Sequence, residues 1–191
     1  MRRFVLVAHD ARTAGDFPLD DLPGSAGRMD LVARCVGASL LVSHGVREDA
    51  EFVAVLLGPP RPPRLLRFVG AEIHGLNPDE RSTGALIRNA LAYVGLAERS
   101  VHRGIYARAG GLRDALEGTP SPILLSETGD DVRGLPLPSD VTFILSDHRD
   151  LTADETDLLR TLTARVASVG PRALQADQVV AIVHNELDRR T

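Results

Sequence analysis

Short apolar runs of strand length, rich in β-branched residues and bounded by polar ones, recur along this chain. They occur at "RRFVLVA" (2–8), "EFVAVLLG" (51–58), "LLRFVGAEI" (65–73), "GIYAR" (104–108), "PILLS" (122–126), "VTFILS" (141–146) and "ARVAS" (164–168). Such runs predict strands, the third a strand or hairpin arm. Between them the apolar positions shift to a helical period: Leu31, Val32, Cys35, Val36 and Leu40, then Leu86, Ile87, Ala90, Leu91 and Val94. A last set, Ala176, Val180, Val183 and Leu187, places a helix at the C-terminal end, and further helices are predicted over Ala153–Leu162 and near "GLRDALEG" (111–118). The second helix has a marked start, with Asn77 as cap, Pro78 at the first helical position and Asp79 and Glu80 in the first turn. Strands alternating with helices predict an α/β fold with a largely parallel sheet.

The segments between these elements carry the candidate chemistry. Residues 9–28 form a long loop rich in Asp, Gly and Pro, and loops of that length in a compact domain are usually functional. Three further loops leave the C-terminal ends of predicted strands: "SETGDD" after 125, "SDHRD" from 146, and "VGPRA" from 169. In open α/β sheets ligands sit beyond the carboxyl ends of strands, so the three could line one pocket. Every α/β protein has such loops, and spacing alone leaves the matter even. No G-x-G-x-x-G follows a strand, no G-x-S-x-G elbow is present, and a P-loop is impossible without lysine. Asp147, His148 and Asp150 match no standard metal spacing; loop solvation and helix capping account for them, and no metal is expected.

Composition narrows the class. The 191 residues suit one domain spanning 1–191, and 43% hydrophobic with 25% charged residues belongs to a globular chain. No stretch reaches the roughly 18 apolar residues of a membrane span. A single cysteine, Cys35, excludes an internal disulfide and fits a reducing cytoplasm. The net charge of −4 gives no global attraction for nucleic acid, yet all 22 basic residues are arginine. Genome composition is the plain cause, although arginine's planar fork also suits phosphate.

Two arginine–carboxylate groups stand out in the N-terminal half. Arg28, Asp30 and Arg34 gather at one predicted helix start, and Asp79, Glu80 and Arg81 at another. They read either as surface ion pairs and a capping box, worth a few tenths of a kcal/mol each, or as a site where arginines hold phosphates and a carboxylate takes a proton.

Four segments decide between these readings: "RFVLVAHDARTAGDFPLDDLPGSAGRMDLVARCV", "LNPDERSTGALIRNAL", "FILSDHRDLT" and "VGPRALQADQVVAIVHNELD". In this order they resemble the signature segments of the archaeal-type tRNA pseudouridine-54 N1-methyltransferase family, a branch of the SPOUT methyltransferases. The likeness runs nearly end to end and is weakest between about 95 and 120. It implies a Rossmann-like core with a deep C-terminal trefoil knot within about 122–191, and S-adenosylmethionine as cofactor. It also implies tRNA as substrate and a homodimer packed through the knot helices. Carried over by motif, the cofactor residues are Leu125, Ser146, Val169, Gly170, Pro171, Arg172, Ala173, Leu174 and Val179. Asp30 and Asp79 become candidate general bases, and Arg28, Arg34 and Arg81 candidate RNA contacts. The chain departs from the family pattern at Val179, where the family often has cysteine, and at Ser146, often glycine.

Overall fold

The structure, a computed structural model, describes residues 1–119, 121–162 and 165–190. The first residue of the strand predicted over 164–168 lies outside them. Strands β1 (Arg2–Ala8), β4 (Ala50–Leu56), β5 (Arg64–Val69), β6 (Arg99–His102), β7 (Ile105–Ala109), β8 (Pro122–Asp131), β9 (Val141–Ser146) and β10 (Arg165–Ser168) form one sheet in the order β10-β8-β9-β1-β4-β5-β7-β6. A two-stranded ribbon of β2 (Leu41–Val42) and β3 (Gly45–Val46) stands apart. No described helix is long and apolar enough to cross a membrane.

Residues alternate across the sheet with the two-residue strand period. Along β1, Phe4, Leu6 and Ala8 join one core cluster while Val5 and Val7 join another. Both faces are therefore buried, and β1 reads as an unbroken apolar run. On the first face lie α1 (Met29–Leu40), α2 (Glu80–Ala90) and α5 (Ala176–Asp188); on the second lie α3 (Leu112–Leu116) and α4 (Ala153–Leu162). Helix α1 buries nine residues, Asp30 and Ser39 among them, because it packs against β1, β4, α2 and α5. Full burial of a side chain such as Phe4, stacked on Phe143 with centroids 5.5 Å apart, contributes roughly 1.5–3 kcal/mol. Cys35 is sealed inside, and burial raises its thiol pKa above the ordinary value, which makes it unreactive.

Two expectations change, and one is refined. The sheet is mostly parallel, as expected, over β10-β8-β9-β1-β4, and it continues antiparallel: β4 pairs with β5, β5 with β7, and β7 with β6. The β4–β5 and β6–β7 connectors are short, whereas the chain passes from β5 to β7 through α2 and β6. The cap of α2 is Asp79 rather than Asn77, since its carboxylate accepts from the Ser82 backbone N–H at 2.7 Å. That helix also stops at Ala90, which leaves Val94 48% exposed beyond it.

The C-terminal part carries the feature that shapes the site. Strand β10 pairs with β8 at Val166–Leu124 and next at Ala167–Asp130, so residues 125–129 are left outside the ladder. Gly129 lies against β10 so closely that a Cβ there would sit 2.6–2.7 Å from backbone atoms of Val166 and Ala167.

Across the sheet, α5 is fixed by His184. Its Nε2 lies 2.9 Å from the Ser39 carbonyl and its Nδ1 lies 3.3 Å from an Arg2 nitrogen. Arginine can only donate, so the ring is the neutral Nε2–H tautomer. Burial, then the nearby Arg47 charge, pushes its pKa down to about 4.

Two outcomes follow from this packing. Substituting Gly129→Ala should lower urea-unfolding stability by roughly 1–3 kcal/mol through backbone overpacking. The control Gly134→Ala, where nothing lies within 4 Å, should stay within about 0.5 kcal/mol. The depressed His184 pKa favours the native state at high pH: its contribution is full above the ordinary value of 6.5 and is lost as pH falls toward 4. It amounts to about 3 kcal/mol, and in His184→Gln the unfolding free energy should lose one proton's worth of slope across that window.

Candidate functional site

The carboxyl ends of β8, β9 and β10 open into one cavity of about 830 Å³, within the range of small-ligand sites. The segment expelled from the β8–β10 ladder supplies Leu125–Thr128, the loop after β9 supplies Ser146–Leu151, and the turn after β10 supplies Val169, Gly170 and Arg172–Ala176. Apolar walls come from Leu125, Leu145, Val169, Leu174 and Val179. Gly170 has φ of 152°, a conformation glycine favours, and a Cβ there would meet nothing within 4 Å. The Ser168 hydroxyl shapes this turn, donating to the Gly170 carbonyl at 2.8 Å and accepting from the Gly170 N–H at 3.0 Å. The Ser146 hydroxyl does similar work, donating to the Arg149 carbonyl at 2.5 Å. Of the residues singled out in the sequence, Leu125, Ser146, Val169, Gly170, Arg172, Ala173, Leu174, Val179 and Arg28 line the cavity; Pro171 stands in the same turn without lining it.

Arg28 enters the cavity from the N-terminal half. It precedes α1 with φ of 65°, in the left-handed region, an outlier of the kind that clusters at functional sites. Preceding Gly27 is also left-handed, at φ 62°, and a Cβ there would lie 1.9 Å from the Asp10 carbonyl oxygen, so only glycine fits. The Arg28 guanidinium forks onto Asp30 through Nε at 3.0 Å and Nη2 at 3.2 Å. Arg34 reaches the same carboxylate at 2.8 Å and also approaches Glu80 at 3.3 Å and Asp177 at 3.5 Å, joining α1 to the starts of α2 and α5. Burial works against the Asp30 carboxylate, 4% exposed, but the hydrogen bonds from Arg28 and then Arg34 hold its pKa below the ordinary value. Asp79 lies outside this cluster as the exposed cap of α2, held below the ordinary carboxylate range by Ser82; Arg81 is on the same exposed turn.

A third group was not legible in the sequence. His9, at the end of β1, places Nδ1 2.9 Å from Asp147 and Nε2 3.0 Å from Glu155 of α4. The Asp147 side chain is 2% exposed and also accepts from the backbone N–H of His9 and of Arg149. Asp147 is therefore a buried anchor that ties the β9 loop, one cavity wall, to β1 and α4. Loop solvation does not describe it. At the rim, Asp10 pairs with His148 at 3.2 Å and with Arg149 at 2.9 Å. Burial lowers the His9 pKa, but hydrogen bonds to Asp147 and Glu155 outweigh it and raise the pKa above 6.5. The partners lie 138 and 146 residues away, so no local pattern could announce them.

A raised histidine pKa stabilises the folded state below the unfolded value, and that contribution is lost as pH rises through the folded one. Amide hydrogen-exchange protection of 147–151, corrected for intrinsic rates, should therefore decline as pH rises above about 6.5. In His9→Gln it should be low at every pH.

Known proteins place this geometry. A family model described as "Putative SAM-dependent RNA methyltransferase" matches residues 1–191. A Methanocella arvoryzae protein named tRNA (pseudouridine(54)-N(1))-methyltransferase is 44% identical over 194 residues, covering 100% of both chains. Proteins of the same name from Methanosarcina acetivorans and Halobacterium salinarum are 43% and 41% identical, covering 99% and 98% of this chain and 92% and 96% of theirs. The crystal structure of Archaeoglobus fulgidus Nep1 bound to S-adenosylhomocysteine superposes with a TM-score of 0.68 at 18% identity, covering 98% of this chain and 97% of that one. The fold is thus the knotted α/β class expected from the sequence. Matched end to end by the family model and by these relatives, the chain belongs to the S-adenosylmethionine-dependent tRNA (pseudouridine(54)-N(1))-methyltransferase family.

Proposed function

We propose that this protein methylates N1 of pseudouridine 54 in the T-loop of tRNA with S-adenosylmethionine as methyl donor. The observation that carries the reading is the three-loop cavity with the Arg28–Asp30 pair at its side. Its residues fit the cofactor: Leu125, Val169, Leu174 and Val179 offer apolar walls for adenine and the methionine chain, and Gly170 and Ala173 leave room beside the backbone. Ser146 and the 169–174 turn would hold it, with Pro171 stiffening that turn and Arg172 at its edge. Valine at 179 keeps the wall apolar, so the cysteine common in the family is not required for packing.

The bound cofactor supplies a methyl group on a sulfonium, a leaving group that needs no further activation. The protein must align the acceptor nitrogen and take its proton. Pseudouridine N1 carries a hydrogen because the sugar is attached through carbon. Transfer of the methyl group to N1 would displace that proton, and this chain's residues would have to accept it. Arg28 would face the base edge and favour the negative charge that develops there. Asp30, fixed between two guanidiniums, would receive the proton and keep Arg28 in place. Its lowered pKa makes it a weak base, so charge stabilisation by Arg28 carries more of the barrier. Asp79, engaged as a helix cap, suits a structural role better, and Arg34 and Arg81 would meet RNA phosphates. A homodimer is supported by β10, an edge strand whose neighbourhood exposes Leu162, Val166 and Leu174 by 38–42%. Packing of the knot helices against a second copy would cover it.

Asp30→Asn should reduce single-turnover methyl transfer to pseudouridine-containing tRNA by on the order of 10²-fold, as loss of a general base does. Asp79→Asn should keep the wild-type rate and lower only the melting temperature. Wild-type turnover in Asp30→Asn would remove Asp30 from the chemistry. Methylation of a uridine-54 transcript as readily as of its pseudouridine counterpart would remove the substrate assignment. Cofactor binding without transfer to any RNA would leave a non-catalytic RNA-binding relative.

A further inference from the structure

Three arginines around the cavity, Arg28, Arg34 and Arg149, are paired with carboxylates. A second group is not. Arg61, Arg64, Arg88 and Arg99 gather near a cleft of about 630 Å³ between the 14–16 segment, the proline connector and the end of α2. Among the described residues none of the four has a carboxylate within 4.0 Å. Arg61 and Arg88 line the cleft itself with Asn89. Asp16 also lines it, but Arg12 occupies that carboxylate at 2.9 and 2.6 Å. Arg64 lies beneath, 6% exposed, and its Nε and Nη1 find no acceptor. Arg99 stacks over the Tyr93 ring at 5.6 Å, and Leu96 beside it is 83% exposed.

Packing alone does not explain this group. Arg88 sits in the last turn of α2, where the helix dipole favours a cation, but that leaves Arg61 and Arg64 unaccounted for. A cluster of like charges with a buried, unsatisfied guanidinium is unfavourable unless an anion joins it. The sheet register says which anion can reach both sites. Arg64 pairs with Leu56 at the carboxyl end of β4, so the cleft opens on the same sheet edge as the cofactor cavity. From β9 to β5 is three strand spacings, roughly 14 Å at about 4.8 Å each, the rise of about four nucleotides.

We propose that this cleft is a second RNA contact, in which Arg61 and Arg88 hold the phosphodiester backbone of the substrate and Tyr93 with Arg99 offers a stacking platform for an unpaired base. The inference rests on the reading of the chain as an RNA methyltransferase. Arginine forks suit phosphate, and stacking on an aromatic–arginine pair tolerates any base.

The test is the Arg61→Gln/Arg88→Gln double variant, since neither side chain lines the cofactor cavity. Binding of an unmodified tRNA transcript is followed by fluorescence anisotropy between 50 and 200 mM salt, beside cofactor binding by calorimetry and KM for each substrate. Transcript affinity should fall on the order of tenfold, and the slope of log affinity against log salt should become shallower by roughly 2, near 0.9 per phosphate lost. KM for tRNA should rise in parallel, while kcat and cofactor affinity stay within about twofold. Wild-type affinity and slope in the variant would overturn the proposal, as would a parallel loss of cofactor affinity. Because transcript binding requires no turnover, a wild-type protein that fails to methylate pseudouridine would sink the proposed reaction and leave this contact standing or falling on its own data.

Discussion

The pairing of β10 with β8 is the constraint on which the site depends. The two strands meet at Val166–Leu124 and again at Ala167–Asp130, so five residues must leave the ladder, and they leave it toward the cofactor cavity. Gly129 makes this possible, because two backbones approach there with no room for a side chain. Without that contact the "SETG" segment would pair with β10 in unbroken register, and the cavity would lose a wall. A backbone element therefore does the work that fixed side chains do in many ligand sites.

Electrostatics then hold the loops in place. Three buried or half-buried groups do this: Asp30 between its near neighbours Arg28 and Arg34, the latter reaching on to Glu80 and Asp177, and, across long separations, His9 between Asp147 and Glu155 and His184 between Ser39 and Arg2. Each satisfies a group whose burial alone would cost several kcal/mol. Their pKa values move differently, and the partners decide the direction. Carboxylates raise the pKa of His9, whereas burial and cationic neighbours lower that of His184. Arg61, Arg64 and Arg88 differ from Arg28, Arg34 and Arg149 in having no carboxylate within ion-pair distance among the described residues, and Arg64 differs further in that its buried Nε and Nη1 find no acceptor.

Much of the architecture was legible because it is local. The run "FVLV" announces a strand buried on both faces, and the loops at 126, 146 and 169 stand where ligands bind in α/β sheets. Four segments in one order carried the family. The local signals that misled were weak ones. Asn77 and Pro78 imitate a helix start, but Asp79 and Ser82 make the actual cap, and a short strand such as β6 has too few apolar residues to show a period. Asp147 resembled an ordinary loop carboxylate because its partner is 138 residues away.

The sequence by itself determined the element types, the apolar faces and the family, since these follow from periodicity and from motifs that need only their neighbours. Tertiary structure alone decided the antiparallel part of the sheet, the excursion of residues 125–129, and the long-range ion pairs such as Arg34–Asp177 and Arg47–Asp188. Register and ion pairing join residues far apart in the chain, and no local pattern encodes which distant group will satisfy a buried charge.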